Sequence, residues 1–328
     1  MALFDNWVSP NNKCTLVSSL ANDSLTDGEM VFNVTDGIAD LTFPAVLSKI
    51  DEKAKSFYEG RADAYDKYLH LTFKTYGEDE QVIRNEMIDL LELKQTDKVL
   101  EIACGTGRDS ELIATKLSKD AELHIQDISG DMLKSAIEKL NKASPQIFAS
   151  VANAAYIPYP DNYFDALYSF GGIGEFSNIK QFFQEAVRVC KPGAKIVVGD
   201  ENLPIWQRHT EFGKILANYN NQFLTDVPFK DLPIEAREVN CKWIIGGVFY
   251  LLDFRVGEDE PYADFNFEIP GHRGGTHMTR YLGHLEGVTE ETKNLAWQAQ
   301  QKSGVSMHQW LDAVVKAEAK RTLAESDK

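Results

Sequence analysis

Along most of the chain, apolar positions switch between the period of a strand and the period of a helix. Val99, Leu100 and Ile102 stop at Gly105-Thr106-Gly107, and Leu112, Ile113 and Leu117 follow at helical spacing, which predicts a strand, a tight turn and a helix. Glu122 to Asp127 alternates as a strand that ends in an acid, and Ser129 then caps a helix carrying Met132, Leu133, Ile137 and Leu140. Ile147 to Val151 and Phe164 to Phe170 read as a third and a fourth strand. A helix from Ile179 to Val189 stops at Cys190-Lys191-Pro192-Gly193, and Ala194 to Asp200 reads as the fifth strand. A helix opening at Leu203 and running to about Asn221 comes next, followed by Arg237 to Ile245 and Val248 to Arg255 on either side of Gly246-Gly247, the mark of a hairpin. Strands alternating with helices in this way predict an α/β domain.

The two ends follow other patterns. Residues 1 to about 50 mix short apolar runs with turn formers, and Met30 to Val34 reads as a strand before the Asp36-Gly37 turn. From Ala45 to Leu71 the pattern is helical and aromatic. Near the other end Thr289 opens a helix that Gly304 ends, and Ser306 with Gln309 makes a capping box for a last helix. Its stripe of Trp310, Leu311, Val314 and Val315 suits a core or a homodimer surface, and Lys320 to Lys328 reads as a frayed end. The expected organisation is a small appended element over 1–50, the main domain with a leading helix over 51–256, and a loop and helical extension over 257–328.

Candidate chemistry gathers at the strand ends. Two glycines let the backbone approach a ligand closely, and the helix after them presents unpaired N–H groups, so a nucleotide-like ligand is implied. A nicotinamide dinucleotide would call for G-x-G-x-x-G, but Ser110 stands where the third glycine belongs and the acid Glu101 sits in the strand end. Asp127, also at a strand tip, can accept hydrogen bonds from both hydroxyls of a ribose. The loop Gly171 to Phe176 follows the fourth strand, where open α/β sheets bind ligands, and makes Glu175 a candidate substrate contact. Trp206, a candidate substrate contact, and His209 lie after the fifth strand. Ile269 to Tyr281 sets His272, Arg273, His277, Arg280 and Tyr281 among three glycines, a loop suited to an anionic or carbonyl-bearing substrate. His272, His277 and His284 lack a fixed metal spacing, so no metal is expected there.

Composition narrows the partners. The net charge of −16 over 328 residues argues against a nucleic-acid backbone as the main partner, because counterion release needs clustered Lys and Arg. Cys14, Cys104, Cys190 and Cys241 are far apart and form no C-x-x-C pair, so reduced cysteines in a cytoplasmic protein are expected. No run approaches the length of a membrane span, and 43% hydrophobic content allows a full core.

Glu101 with Gly105 and Gly107 resembles the first motif of class I S-adenosylmethionine-dependent methyltransferases. Phe57 to Tyr68, with its regularly placed tyrosines, resembles the helix that precedes the cofactor domain in the ubiquinone/menaquinone-biosynthesis branch of that family. Asn153 to Asp165 and Glu185 to Gly193 resemble two further family signatures, with Asn153 where an aspartate is usual. Val34 to Leu41 resembles the tail of metal-ribbon leaders found before some of these domains, although Cys14 alone of the ligand cysteines is present. The resemblance covers about residues 55 to 256. It implies a Rossmann-like class I methyltransferase fold: a mostly parallel seven-stranded sheet ending in an antiparallel hairpin, with N-terminal and C-terminal additions.

It also implies S-adenosyl-L-methionine as cofactor. Glu101 would anchor the methionine amino group, and the turn of Ala103, Cys104, Gly105, Thr106 and Gly107 would lie under the ligand. Asp127 would hold the ribose, Ile128 would pack on adenine, and Asn153 would meet the adenine amino group through its carbonyl oxygen. Met132, Ala154 and Phe170 complete the expected cofactor wall, with Tyr58 and Tyr65 on the sulfonium side. His209 or His277 is the expected base wherever the acceptor must lose a proton. The activity read here is methyl transfer to a small organic molecule. A protein or tRNA acceptor, a cofactor-binding protein that does not methylate, and a nicotinamide oxidoreductase stay open as alternatives.

Overall fold

The computed structural model describes residues 6–21, 23–283 and 287–326. Its contacts divide the chain into two compact units, Met1–Glu260 and Pro261–Lys328. In the first unit the strands are β1 (Val17–Ser18), β2 (Ser24–Thr26), β3 (Val31–Thr35), β4 (Ile38–Asp40), β5 (Lys98–Ile102), β6 (Glu122–Asp127), β7 (Gln146–Val151), β8 (Phe164–Phe170), β9 (Cys190–Glu201), β10 (Ala236–Ile244) and β11 (Phe249–Val256). The helices of that unit are α1 (Lys49–Tyr58), α2 (Ala62–Tyr68), α3 (His70–Thr75), α4 (Glu80–Asp89), α5 (Arg108–Lys116), α6 (Gly130–Lys139), α7 (Ile179–Val189) and α8 (Glu211–Tyr219).

The strands form one sheet in the order β1-β2-β3-β4-β7-β6-β5-β8-β9-β11-β10. Strands β4, β7, β6, β5, β8 and β9 run parallel to one another. The hairpin of β10 and β11 lies antiparallel beyond β9, turning at Ile245, Gly246 and Gly247, all with positive φ. The chain builds outward from β5 through β6 and β7 on one side and through β8 and β9 on the other, so the order reverses between β5 and β8, and this is where a crevice opens above the carboxyl ends of the strands.

The sheet has eleven strands where seven were expected. The N-terminal segment supplies the others: β4 pairs with β7, Ala39 opposite Ser150 and Asp40 opposite Val151, and β3, β2 and β1 continue the sheet antiparallel. Trp7, Leu16, Leu25, Phe32 and Leu41 from this segment are buried in the main core. Strands of two to five residues are too short for alternation to announce them. Strand β9 also begins earlier than expected, at Cys190, because its register against β8 shifts between Phe164 and Ala166 and absorbs the Pro192-Gly193 kink.

Both faces of the central strands are covered, as a parallel sheet requires. On β5 the alternation sends Leu100 and Ile102 into one cluster with Phe164, Phe182 and Phe183, and Val99 into the other with Ile113, Leu123, Ile125 and Leu133. The helical stretch predicted over 45–71 breaks into α1, α2 and α3, with Gly60 at φ +68 between the first two. Thr210 caps α8, so the segment from Leu203 to His209 enters as a short 3-10 turn over Ile205–Gln207 and not as the opening of the helix.

The second unit holds α9 (His277–Leu282), α10 (Glu290–Ser303) and α11 (Met307–Ser326). Thr276 and Thr279 cap α9 reciprocally, and Ser306 and Gln309 form the predicted box at the start of α11. The carbonyls of His272 and Arg273 accept from the N–H groups of Met307 and His308, tying the glycine-rich loop to α11. No described helix is long and apolar enough to cross a membrane.

Candidate functional site

A cavity of about 430 Å³ lies at the carboxyl ends of β5, β6, β7, β8 and β9, under α1 and α2. Strand β5 brings Glu101 to its edge, and the backbone then passes through positive φ at Ala103 (+56°), Gly105 (+55°) and Gly107 (+80°) before α5 begins. Ala103, Cys104, Gly105 and Thr106 all face the cavity; Gly107 does not. A Cβ at Gly107 would fall 2.8 Å from Ala136 Cβ. That glycine therefore serves the close approach of α5 to α6 and not a ligand contact.

Glu101 is 2% exposed, and its Oε2 accepts from Ser110 Oγ at 2.5 Å. Burial, and next the charge of Asp109, push its carboxyl well above the usual glutamate range. Asp109 is itself paired with the buried Arg84 at 2.7 Å, so that cation is already spent. One strand over, Asp127 accepts from the N–H groups of Gly105 and Ser129, each at 2.8 Å. Its carboxyl is raised by burial and held back by those hydrogen bonds. At the end of β7, Asn153 is held from two sides: Oδ1 accepts from Ala155 N–H at 3.0 Å, and Nδ2 donates to Asp51 at 3.3 Å. Asp51, from the first turn of α1, also accepts from Ser48 and Ser177 and so ties α1 to the loop after β8.

Tyr58 and Tyr65 line the opposite wall with their rings edge to face at 5.8 Å. Burial pushes the Tyr65 hydroxyl up to about 12. Below them α2 is pinned to the glycine turn, since Asp66 accepts from Thr106 Oγ1 at 2.9 Å, Arg108 Nε at 3.0 Å and Lys139 Nζ at 2.7 Å. Ile128, Met132, Ala154 and Phe170 are also in the wall. All the expected cofactor residues except Gly107 thus share one cavity.

Three more carboxylates line the end of the cavity toward β9 and α8. Asp200 accepts from Gly174 N–H at 2.6 Å and from the N–H of Glu201 at 2.7 Å, and burial pushes it up to about 6. Burial, with the charges of Asp200 and Glu175, pushes Glu201 up to about 7, and Asn220 donates to it. Glu175 is raised by burial and by Asp200, and is hydrogen-bonded to Tyr58. Of the expected substrate residues, Glu175 is in this wall.

Trp206 and His209 are not. Trp206 is 69% exposed with its ring 5.4 Å from that of Trp243, and His209 is exposed. The cause is local: Arg208 donates to the carbonyls of Leu203 and Thr225 and to Asp226, which locks the 3-10 turn and leaves its neighbours outside. Tyr219, Asn220 and Gln222 take the place expected for them. His277, Arg273, Arg280 and Tyr281 belong to the second unit and are exposed there, whereas the described cavity wall is built wholly from residues between 51 and 249. His277 stacks edge-on with Phe265, and Arg280 donates to the Gly274 carbonyl. Among the described residues no three His, Cys, Asp or Glu are grouped to hold a metal, and His284 lies outside the described residues.

Sequence reasoning missed Asp51, Gln126, Asp200 and Glu201. The last two had a signal, because they end a parallel strand at the edge where such sheets bind ligands. Asp51 had none beyond being an acid in a first helical turn.

Residues 99–193 match the family model described as a methyltransferase domain. The chain is 34% identical over 143 residues to the ubiquinone/menaquinone biosynthesis C-methyltransferase UbiE of Chromobacterium violaceum, covering 44% of this chain and 54% of that one. It is 28% identical over 163 residues to the demethylmenaquinone methyltransferase of Listeria monocytogenes serotype 4a, covering 48% and 67%. The chain thus spans about half the length of the curated relatives it matches first. A putative methyltransferase from Bacillus halodurans superposes with a TM-score of 0.42 and 16% identity over 53% of this chain and 99% of that one.

The stretch from β5 to β9 is therefore similar to a methyltransferase domain, and the hairpin of β10 and β11 completes the order β7-β6-β5-β8-β9-β11-β10, the arrangement expected of the class I S-adenosylmethionine-dependent fold. Within that class it resembles the UbiE branch. The residues present fit S-adenosyl-L-methionine: a buried carboxylate with no free cation beside it among the described residues suits an ammonium, a strand-tip acid suits a ribose, and the glycine turn leaves room under the ligand.

Proposed function

We propose that this chain transfers a methyl group from S-adenosylmethionine to a small organic acceptor, and that the acceptor is a ring compound of the phenol or quinone type. The observation that carries the reading is Glu101, buried beside the glycine turn with its carboxyl raised and the nearby Arg84 committed to Asp109. The bound sulfonium supplies a methyl that is already activated, which leaves the protein to align the acceptor and keep water out. Glu101 holds the ammonium, Asp127 takes the ribose hydroxyls, and Tyr58 and Tyr65 set aromatic rings against the sulfonium.

The proton-accepting role passes from His209 and His277 to Glu201. It sits in the wall, and a carboxyl held at about 7 is matched to taking a proton from a phenolic hydroxyl at neutral pH. Glu175 and Asp200 keep the charge near Glu201 high and so keep it basic. Phe57, Phe176, Tyr219 and Phe249 supply flat apolar surface for a ring. The named relatives methylate in ubiquinone and menaquinone biosynthesis, which supports the same acceptor class.

Calorimetric titration with S-adenosylmethionine and with a pyridine nucleotide tests the cofactor. Release of S-adenosylhomocysteine in the presence of hydroxylated ring acceptors tests the transfer. Uptake of the pyridine nucleotide in preference to the sulfonium overturns the reading. Binding of the sulfonium with no transfer to any acceptor reduces the chain to a cofactor-binding protein.

A further inference from the structure

Gln126, next to Asp127 on β6, is 1% exposed and lines the cavity, yet neither its Oε1 nor its Nε2 has a hydrogen-bond partner among the described residues. Its neighbours across the sheet, Ile102 on β5 and Ser150 on β7, leave the amide unpaired. A buried donor and acceptor left together without partners are costly in the ligand-free protein, and leucine of nearly the same shape would avoid the cost. Such a side chain on the wall of a cavity implies a ligand edge that offers one acceptor and one donor.

The wall around Gln126 indicates which edge. With the ribose on Asp127, the base lies against the neighbouring wall of Gln126, Ile128, Asn153 and Ala154. Asn153, where the amino group of adenine was expected to be met, already accepts from Ala155 and donates to Asp51. The Hoogsteen edge of adenine presents an N6 donor beside an N7 acceptor, the pattern a glutamine amide matches with two hydrogen bonds. Resting on the reading of the cavity as an S-adenosylmethionine site, we propose that Gln126 is the residue that selects adenine, its Oε1 accepting from N6 and its Nε2 donating to N7. Gln126 is thus a specificity residue, and Asn153 serves to hold α1 through Asp51.

The test is calorimetry of S-adenosylhomocysteine and two analogues, one with 7-deazaadenine and one lacking the 6-amino group, on wild-type protein, Gln126→Leu and Gln126→Met, with thermal melts of each ligand-free protein. Wild type is expected to bind each analogue about 10-fold to 100-fold more weakly than S-adenosylhomocysteine, the range of a bidentate amide–adenine contact. Gln126→Leu is expected to weaken S-adenosylhomocysteine by a similar factor, to bind all three ligands alike, and to melt at the same temperature or higher. A wild-type protein that binds the three ligands equally overturns the proposal whatever the variants do, as does a folded Gln126→Leu or Gln126→Met that still discriminates. A wild-type protein that binds none of the three overturns the cofactor reading as well, which separates the two failures.

Discussion

Replacing Glu101 by glutamine removes one charge and almost no volume, and it puts the cofactor assignment at risk. The amide oxygen can still accept from Ser110 Oγ, so the 2.5 Å contact keeps a partner. What is lost is a charge-assisted pair with the ligand ammonium in a site 2% exposed. Hydrogen bonds to charged groups contribute about 1.5–3 kcal/mol, and stranding one member of a buried ion pair costs about 3–5 kcal/mol. A loss of about 2–4 kcal/mol lies between these and corresponds to about 30-fold to 1,000-fold in Kd for S-adenosylhomocysteine.

The ligand-free protein should change in the opposite direction. Burial and Asp109 raise the Glu101 carboxyl in the folded state. Between the unfolded and folded values the native protein binds more protons than the unfolded chain, so stability falls as pH rises through that window and stays lower above it. Glutamine has no such fall. Ligand-free Glu101→Gln should therefore melt with wild type at acid pH and above it at neutral pH, while calorimetry at neutral pH shows the weakened ligand. Unchanged affinity, or a variant less stable than wild type at neutral pH, would refute the assignment of Glu101 to the ammonium.

Two further outcomes follow from the same geometry. With Glu201 at about 7, kcat/KM should rise as pH rises through about 7, since the carboxylate is the active form; Glu201→Gln should abolish that limb and lower the rate by about 10²-fold to 10⁴-fold, while His209→Ala turns over as wild type. Persistence of the limb in Glu201→Gln would remove it as the base. Gly107→Ala forces a left-handed alanine at φ +80° with its Cβ 2.8 Å from Ala136 Cβ. It should cost about 2–5 kcal/mol by urea denaturation, the sum of about 1–2 for the conformation and about 1–3 for overpacking. A midpoint equal to wild type would contradict the close packing of α5 on α6.

The strand–turn–helix around Gly105, the acid at Asp127 and the hairpin at Gly246-Gly247 were legible in the sequence because each is a local event. Alternation, capping and positive φ act within a few residues. The cavity wall at Glu101, Asp127 and Phe170 could be anticipated for the same reason, since each of these residues sits at the end of a strand whose position the pattern reveals. The N-terminal strands were hidden, being too short for a period and stabilised by an edge more than a hundred residues away at Ser150 and Val151.

Tertiary structure alone decided the rest of the site. Asp51 is an ordinary first-turn acid until α1 packs against Asn153 and Ser177. His209 looked suited to catalysis until Arg208 locked its turn outside the cavity. Glu201 and Gln126 have no unusual chemistry as residue types; desolvation and a neighbouring carboxylate raise the one, and the want of a partner sets the other apart. The sequence by itself determined which segments are strands and helices and where their turns fall, because those depend on short-range sterics and periodicity. Which carboxylates lose water, which amide is left unpaired and which histidine stays outside depend on groups brought together from distant parts of the chain, and only packing settles them.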